Sequence, residues 1–236
     1  MFHVKHLKIN IKNTKMKHTV FLILIIGLFF VSCNQNEQTS AIEEVQTENL
    51  QVNEEVSKDE IEIRDLIRKV LKWADAKENS FYILPVFTDE EDSIYVGFDM
   101  KELEGNLNVL KKTGFFAKEF IENYNQIIRT LDKKMRSKEY DEWLVGDLPT
   151  FGFSNDENAW CSCQDYPYDE GDPNAWNVEI KIIRLNNENG DLEWTWDKST
   201  WADFKYKFKV VKENNKWKIS YMEGFNFEEG VKWWNE

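Results

Sequence analysis

The chain has 236 residues, with 43 Asp and Glu against 30 Lys and Arg, and its formal net charge is −13. A chain this acidic is a poor ligand for nucleic acid and for anionic lipid head groups, so neither is expected as a partner. Its three histidines lie at positions 3, 6 and 18.

The first 32 residues have the order of a bacterial signal peptide. Five lysines and no acidic residue precede an apolar run from Val20 to Val31. Because a helix needs about 20 residues to cross a hydrocarbon core, this shorter run predicts a segment that is removed, not a membrane span. Met16 is an alternative start, since residues 16–33 already form a complete signal.

The segment Phe30-Val31-Ser32-Cys33 resembles the lipoprotein box of bacterial precursors, in which a small residue precedes a cysteine that is acylated. The resemblance implies that Cys33 carries several acyl chains, which hold a protein on a bilayer where one chain would not. Asn34 follows the cysteine, and we expect a lipid-anchored protein of the outer membrane of a diderm bacterium. The alternative is a secreted protein in which the cysteine falls there by chance.

Removal of residues 1–32 would change the chemistry of the remaining chain. It would take away five lysines and no acidic residue, which brings the net charge to −18, and it would remove every histidine. Histidine is the usual partner of a Ser or Cys nucleophile and the commonest zinc ligand, so Ser-His-Asp and Cys-His hydrolases and imidazole zinc sites are excluded. We expect a protein that is not an enzyme and has no cofactor.

Residues 33–56 are predicted to be a flexible tether that follows the lipidated cysteine. Between positions 34 and 56 the chain has six glutamates, no lysine or arginine and few apolar residues. Such a composition cannot bury enough apolar surface to fold. The sequence therefore predicts a single α+β domain over residues 57–236.

Three helices are predicted in the first part of this domain. Ser57 with Glu60 forms a capping box for a helix that runs to about Lys77. Asp99 begins a second helix, which Gly114 ends. The third helix has one apolar face, made of Phe116, Phe120, Tyr124, Ile127, Ile128, Leu131 and Met135.

The apolar period changes from 3.6 to 2 beyond about Trp143, after two earlier extended patches at residues 81–87 and 93–98. The alternation predicts antiparallel strands joined by hairpins, with turns at residues 187–190 and 214–215. Helices followed by strands indicate an α+β architecture, with the helices packed on an antiparallel sheet.

Residues 110–128, LKKTGFFAKEFIENYNQII, and the closing hairpin at residues 204–225, FKYKFKVVKENNKWKISYMEGF, resemble the nuclear transport factor 2-like, or cystatin-like, fold. In particular they resemble a family of uncharacterised bacterial lipoproteins that carry this domain after a short tether. The resemblance implies a strongly curved sheet that wraps one long helix as a cone, whose mouth often binds small molecules. Enzymes of this fold commonly use Asp with His or Tyr, and no histidine would be left after removal of residues 1–32.

Tryptophans are concentrated in the sheet half, and two roles for them stay open. Aromatic walls at the mouth of a cone could stack a sugar or another flat ligand, whereas a curved sheet also needs large side chains to fill its concave side. The candidates are Trp176, Trp194, Trp196 and Trp217.

Cys161 and Cys163 are an even pair in an oxidising compartment, which predicts a disulfide. Residues two apart in a strand have Cα atoms about 6.6 Å apart, near the upper limit for a bridge. A bridge therefore requires a tight turn at Ser162, and without that turn the thiols stay free.

An acidic loop follows the two cysteines. Its carboxylates, with loop carbonyls, could surround calcium, although the spacing is not that of an EF-hand and acidic loops are commonly solvated turns. The candidate ligands are Asp165, Asp169, Glu170 and Asp172.

We expect a non-catalytic, membrane-anchored envelope protein that binds another envelope protein or a small ligand. One alternative is a hydrolase or isomerase that uses a carboxylate acid and base in the cone cavity. Another is a periplasmic inhibitor or immunity-type protein.

Overall fold

The structure, a computed structural model, describes residues 57–76, 81, 83–89, 93–153, 157–164, 172, 174–196 and 203–234. These residues belong to one unit of the chain. The signal segment, the tether with Cys33, and three of the predicted calcium ligands, Asp165, Asp169 and Glu170, lie outside the described residues.

Helix α1, Lys58–Asp75, begins at the predicted cap. The Ser57 hydroxyl accepts a hydrogen bond from the Glu60 backbone N–H at 3.2 Å, which satisfies one of the free donors of the first turn. The apolar residues at helical spacing form its buried face: Ile63, Leu66, Ile67, Val70 and Leu71.

Helices α2, Met100–Thr113, and α3, Lys118–Arg136, pack against each other. The Asp99 carboxylate accepts from two backbone N–H groups of the first turn of α2, and Gly114 ends that helix with a φ of +71°, which favours glycine. The structure thus confirms all three predicted helices.

The first sheet has three antiparallel strands in the order β1, β2, β3, which are Val86–Asp89, Ile94–Phe98 and Trp143–Leu144. Helix α3 lies against β2, where the Asp132 carboxylate accepts from the backbone N–H of Phe98 at 2.8 Å. The extended patches predicted β1 and β2, but β3 has only two residues and gave no periodic signal.

The second sheet is an antiparallel meander of four strands in sequential order, β4 to β7. The strands are Glu179–Leu185, Asn189–Thr195, Tyr206–Glu213 and Lys216–Met222. The last hairpin turns through Asn214 and Asn215, whose φ angles of +52° and +59° match a two-residue turn that asparagine tolerates.

Other segments cover both edges of this sheet. On β4, the Arg64 guanidinium donates to the Ile180 carbonyl, and just before the strand that of Arg68 donates to the Val178 carbonyl. On β7, Ile219 exchanges two backbone hydrogen bonds of 2.8 Å with the segment 115–117, which links α2 to α3. These contacts satisfy edge groups that would otherwise pair with another chain.

One core joins the helices to both sheets, and its centre is aromatic. The Trp160 ring lies 4.5 Å from that of Phe225, and Phe116 stacks on Phe120 at 4.7 Å. The buried Asn106 amide donates to the Tyr124 hydroxyl, which in turn donates to the Ile83 carbonyl, so buried polar atoms have partners here.

The chain closes with a 3-10 turn, Glu223–Phe225, and a short helix α4, Phe227–Gly230. The architecture is α+β, as predicted, with helices and two antiparallel sheets that are not closed. Within the described ranges, none of the helices has both the length and the apolar character needed to span a membrane.

Candidate ligand-binding site

The two cysteines form a disulfide, Cys161–Cys163, with Cα atoms 5.2 Å apart. The intervening Ser162 has a φ of +47°, so the chain makes the tight turn that such a bridge requires. Cys161 is fully buried, and the adjacent Trp160 reaches into the aromatic core. The bridge therefore fixes a loop whose tryptophan is part of the core.

The predicted tryptophans lie inside the second sheet half. All four are buried, and Trp196 packs against Trp176 and Trp194 with ring centroids 5.1 and 5.0 Å apart. Trp194 also borders a small cavity of about 180 Å³ on β4 and β5. Trp217 lies under the Lys212 ammonium, 4.9 Å from its ring centroid. These side chains fill the core.

Asp172 is the one predicted calcium ligand within the described residues. Its carboxylate accepts a hydrogen bond of 2.8 Å from the backbone N–H of Asn174, as in an ordinary Asx turn. In the described part of the chain, no group of three Cys, Asp or Glu side chains is placed to hold a metal ion.

A cavity of about 430 Å³ lies where β2, β3 and the end of α3 meet, and it combines aromatic walls with charged side chains. We call it the aromatic pocket. Its volume is within the usual range for small-molecule sites, which are apolar with a few polar groups. The residues that matter most here are Tyr95, Arg136, Lys138, Tyr140, Asp141, Glu142, Trp143 and Phe151.

Tyr95 and Trp143 form the aromatic wall of the pocket. They are directly opposite each other in the β2–β3 pair, and their ring centroids are 4.2 Å apart. Trp143 also meets Phe151 edge-on at 5.5 Å, and its indole N–H donates to the Asp147 carbonyl at 2.8 Å. Four separate contacts thus hold the wall in place before any ligand arrives.

Tyr140 anchors the floor of the pocket to the carboxyl-terminal segment. Its hydroxyl donates to the Val231 carbonyl at 2.5 Å. Burial, with a smaller contribution from the Glu139 carboxylate, raises the pKa of Tyr140 to about 12. The phenol therefore stays protonated and remains a hydrogen-bond donor at neutral pH.

Arg136 supplies the positive charge of the pocket. Its Nε donates to Asp132 at 2.9 Å, and the same carboxylate oxygen accepts from the Phe98 N–H. Asp132 is thus held by β2 and in turn orients the guanidinium. A Cβ at Gly97 would come within 2.7 Å of both side chains, so glycine is needed for this close approach. Among the described residues, the two Nη nitrogens of Arg136 have no hydrogen-bond acceptor, which leaves them donor capacity for a ligand, and Nη2 lies against Gly97.

A second cavity, of about 450 Å³, lies between α2, α3 and the last hairpin, and its lining is largely charged. Its Glu213 is bound by the Lys118 N–H and the Lys218 ammonium, and its Glu104 is paired with Arg129. Because two of the three carboxylates that line it already have partners in the chain, the cavity is less suited to a ligand than the aromatic pocket.

Comparison of the chain with protein-family models, with curated proteins and with solved structures gives no significant match in any of the three. A function for this chain therefore has to follow from the chemistry of its own residues.

The sequence did not single out Tyr95, Arg136 or Trp143 as site residues. Their grouping depends on β3, because the two-residue strand is what brings Trp143 beside Tyr95. The interleaved aromatic and acidic residues of Tyr140-Asp141-Glu142-Trp143 were the one signal that could have indicated this region.

Proposed function

We propose that this protein is a lipid-anchored envelope protein that binds a small ligand without transforming it, and that the aromatic pocket is the binding site. The observation that carries the proposal is the fixed Tyr95–Trp143 wall with the oriented Arg136 beside it. The lipoprotein box around Cys33 supports the anchored location.

The pocket chemistry favours a ligand with a flat ring face and polar oxygens at its edge. An aromatic wall stacks on the apolar face of a sugar or on another ring, and an arginine with free Nη nitrogens binds hydroxyl or carboxylate oxygens. Asp141 and Glu142 add acceptors for ligand hydroxyl groups. Oligosaccharides are therefore the first class to test.

Binding is preferred to carboxylate catalysis because of where the carboxylates lie. A general acid of that kind is a buried carboxyl with a raised pKa. Among the described residues the buried polar side chain is Asn106, and the two carboxylates with a shifted pKa, Asp59 and Glu213, both have it lowered.

We also propose that the fold is a nuclear transport factor 2-like, or cystatin-like, cone and that the chain is related to the lipoprotein family with that domain. Support comes from the order of elements, with three helices before the four-stranded meander, and from the packing of α3 against β7.

The binding proposal can be tested on the acylated full chain in detergent. Neutral and N-acetylated oligosaccharides are titrated, and we expect a saturable rise in melting temperature with at least one of them. Tyr95→Leu and Arg136→Gln should each remove the rise, whereas Ile183→Ala, on the exposed side of β4, should retain it. A rise that survives both pocket substitutions, or none with any probe, would contradict the proposal.

A further inference from the structure

A group of exposed apolar side chains lies beside the aromatic pocket, and we call it the apolar rim. Each of its members is between 37% and 56% exposed, which is unusual for side chains of this size. The rim consists of Leu144, Val145, Leu148, Trp233 and Trp234.

The two parts of the rim come from distant parts of the chain but are held side by side. Phe151 and Trp233 form an antiparallel bridge, and the Trp234 N–H donates to the Thr150 carbonyl at 3.1 Å. Gly152 in turn donates to the Lys232 carbonyl at 3.0 Å. The carboxyl-terminal segment therefore runs along the chain that leads out of the 144–148 turn.

The turn holds its apolar residues outward. The Asp147 N–H donates to the Leu144 carbonyl at 3.1 Å, and Gly146 has a φ of +98°, which favours glycine. The Trp143 side chain points inward and is fixed by Asp147, whereas Leu144, Val145 and Leu148 remain exposed. The turn therefore exposes a small group of apolar side chains to solvent.

We propose that the apolar rim contacts the interface of the bilayer that carries the protein, in addition to the acyl anchor. The inference rests on the proposed lipid anchor at Cys33. Tryptophan prefers the boundary between head groups and acyl chains, and exposed Leu and Val beside it can enter the upper part of the hydrocarbon. The Lys232 ammonium lies 4.6 Å from the Trp234 ring centroid and is paired with Glu229 at 3.6 Å, so the charge at this edge of the rim is compensated within the chain.

The length of chain before α1 makes such a contact accessible. Residues 33–56 separate the acylated cysteine from Ser57, and a connection of 24 residues can span at most about 80 Å. A short connection of this kind gives the rim a high effective concentration at the bilayer surface, so even a weak apolar contact is populated.

Charge argues against a second copy of the chain as the occupant. With the signal removed the net charge would be −18, and like-charged copies repel each other. A zwitterionic bilayer has no net charge, so it can contact the apolar rim without electrostatic repulsion. Trp143, Thr150 and Phe151 are next to rim residues and line the aromatic pocket, so contact through the rim would hold the pocket next to the membrane surface.

Site-specific fluorescence on the acylated full chain in phosphatidylcholine vesicles tests the inference. A fluorophore is attached at Val145→Cys or, as the matched control, at Ile183→Cys, which is equally exposed on β4. The native cysteines do not interfere, since Cys161 and Cys163 are bridged and Cys33 is acylated. We expect quenching by spin-labelled lipid to be several-fold stronger at position 145 than at 183, and Leu148→Asp to remove that difference.

Flotation with the vesicles reports the anchor separately from the rim. Protein that floats but is quenched equally at both positions would overturn the inference and leave the anchor intact. Shielding of position 145 from aqueous iodide without lipid quenching would also overturn it, because a protein would then cover the rim. If the chain does not float, the same quenching is measured on Cys33→Ser versions of the two labelled variants, held on nickel-chelating lipid by an amino-terminal histidine tag, where equal values again overturn the inference.

Discussion

Glu213, at the end of β6, caps the amino terminus of α3. Its carboxylate accepts a hydrogen bond of 3.2 Å from the backbone N–H of Lys118, 95 residues away in the chain. The residue at the ordinary capping position, Ala117, has no side chain that could do this. The other Glu213 oxygen is 3.0 Å from the Lys218 ammonium, so one side chain joins the long helix to the last hairpin.

We predict that Glu213→Ala lowers the free energy of unfolding by about 1 kcal/mol, as loss of a helix cap does. Glu213→Gln should cost less, because the amide oxygen still accepts from the Lys118 N–H while the charge interaction with the helix terminus is lost. Urea unfolding measures both. Equal stability of wild type and Glu213→Ala would mean that the cap contributes nothing.

The stabilisation by Glu213 should depend on pH. Burial acts to raise its pKa, but hydrogen bonds from Lys218 and from the Lys118 N–H outweigh burial and hold the pKa below its ordinary value. A carboxyl with a lowered folded pKa stabilises above its unfolded pKa of about 4.3 and loses this contribution as the pH falls through the folded value. The difference in unfolding free energy between wild type and Glu213→Gln should therefore begin to shrink below about pH 4.3 and should disappear below the folded pKa of Glu213, as measured by urea unfolding at a series of acid pH values.

Asp59 makes a second link between a helix start and the hairpin. The Trp217 indole N–H, which approaches without full hydrogen-bond geometry, and the Lys212 ammonium at 2.9 Å hold the pKa of Asp59 below its ordinary value. We predict that Asp59→Asn lowers stability by about 0.5–1.5 kcal/mol at pH 7 and has less effect in acid.

The neighbouring ion pair between Lys58 and Glu62 is a suitable control for Asp59. It lies on the same helix but is exposed, with atoms 3.8 Å apart. Glu62→Gln should change the free energy of unfolding, measured with urea, by less than about 0.5 kcal/mol. An equal loss for both substitutions would show that general helix electrostatics, not the contact with the hairpin, explains the effect of Asp59→Asn.

The parts of the fold that the sequence predicted are those with local signals. The caps at Ser57 and Asp99, the stop at Gly114 and the period-2 strands all depend on residues a few positions apart, and the structure confirms them. The Glu213 cap could not be predicted, because its partner is distant in the chain. The same holds for the edge of β4, which arginines of α1 cover.

The candidate site was harder to predict than the fold for the same reason. Alternation indicated that the tryptophans of the second sheet lie on one face, and they do lie in the core. Pattern alone does not distinguish a filled core from an open pocket. The aromatic pocket forms instead where β2, the two-residue strand β3 and the end of α3 meet, and no local pattern indicates that these three parts of the chain lie together.

Tyr206 connects the disulfide loop to the end of β7 within the core. Its fully buried hydroxyl donates to the Ala159 carbonyl at 2.7 Å and accepts from the Gly224 N–H at 2.9 Å. We predict that Tyr206→Phe lowers stability by about 2–4 kcal/mol, because two buried backbone groups lose their partner. Tyr221→Phe is the control: among the described residues that hydroxyl makes one long contact of 3.4 Å, so the substitution should change stability little.

Reduction of the Cys161–Cys163 disulfide should lower stability by only about 1–2 kcal/mol, because the bridge closes a very short loop. Burial of both residues predicts that a reductant acts slowly on the native protein. Urea midpoints with and without reductant measure the effect. The double variant with Cys161→Ala and Cys163→Ala should not respond to reductant, and a response there would show that the reductant acts elsewhere.

Gly97, which precedes α2, and Gly105, which lies within it, form a matched pair for the last prediction. Gly97 on β2 has a φ of +154° and leaves no room for a Cβ, which would clash with Asp132 and Arg136. Gly105 lies within the helix and has open space around it. We predict that Gly97→Ala lowers stability by about 1–3 kcal/mol, whereas Gly105→Ala raises it by about 0.5–1 kcal/mol through helix propensity.

The same pair also tests how Arg136 is held in the aromatic pocket. If the close approach at Gly97 orients the guanidinium through Asp132, then Gly97→Ala should weaken oligosaccharide binding. The ligand is any oligosaccharide that raises the melting temperature of the wild type, and the affinity is measured at a temperature where both proteins are folded. Gly105→Ala should leave that affinity unchanged, because it touches neither side chain. Calorimetric titration of both variants decides the matter, and unchanged affinity in Gly97→Ala would show that Arg136 does not need the close approach at Gly97 for its position.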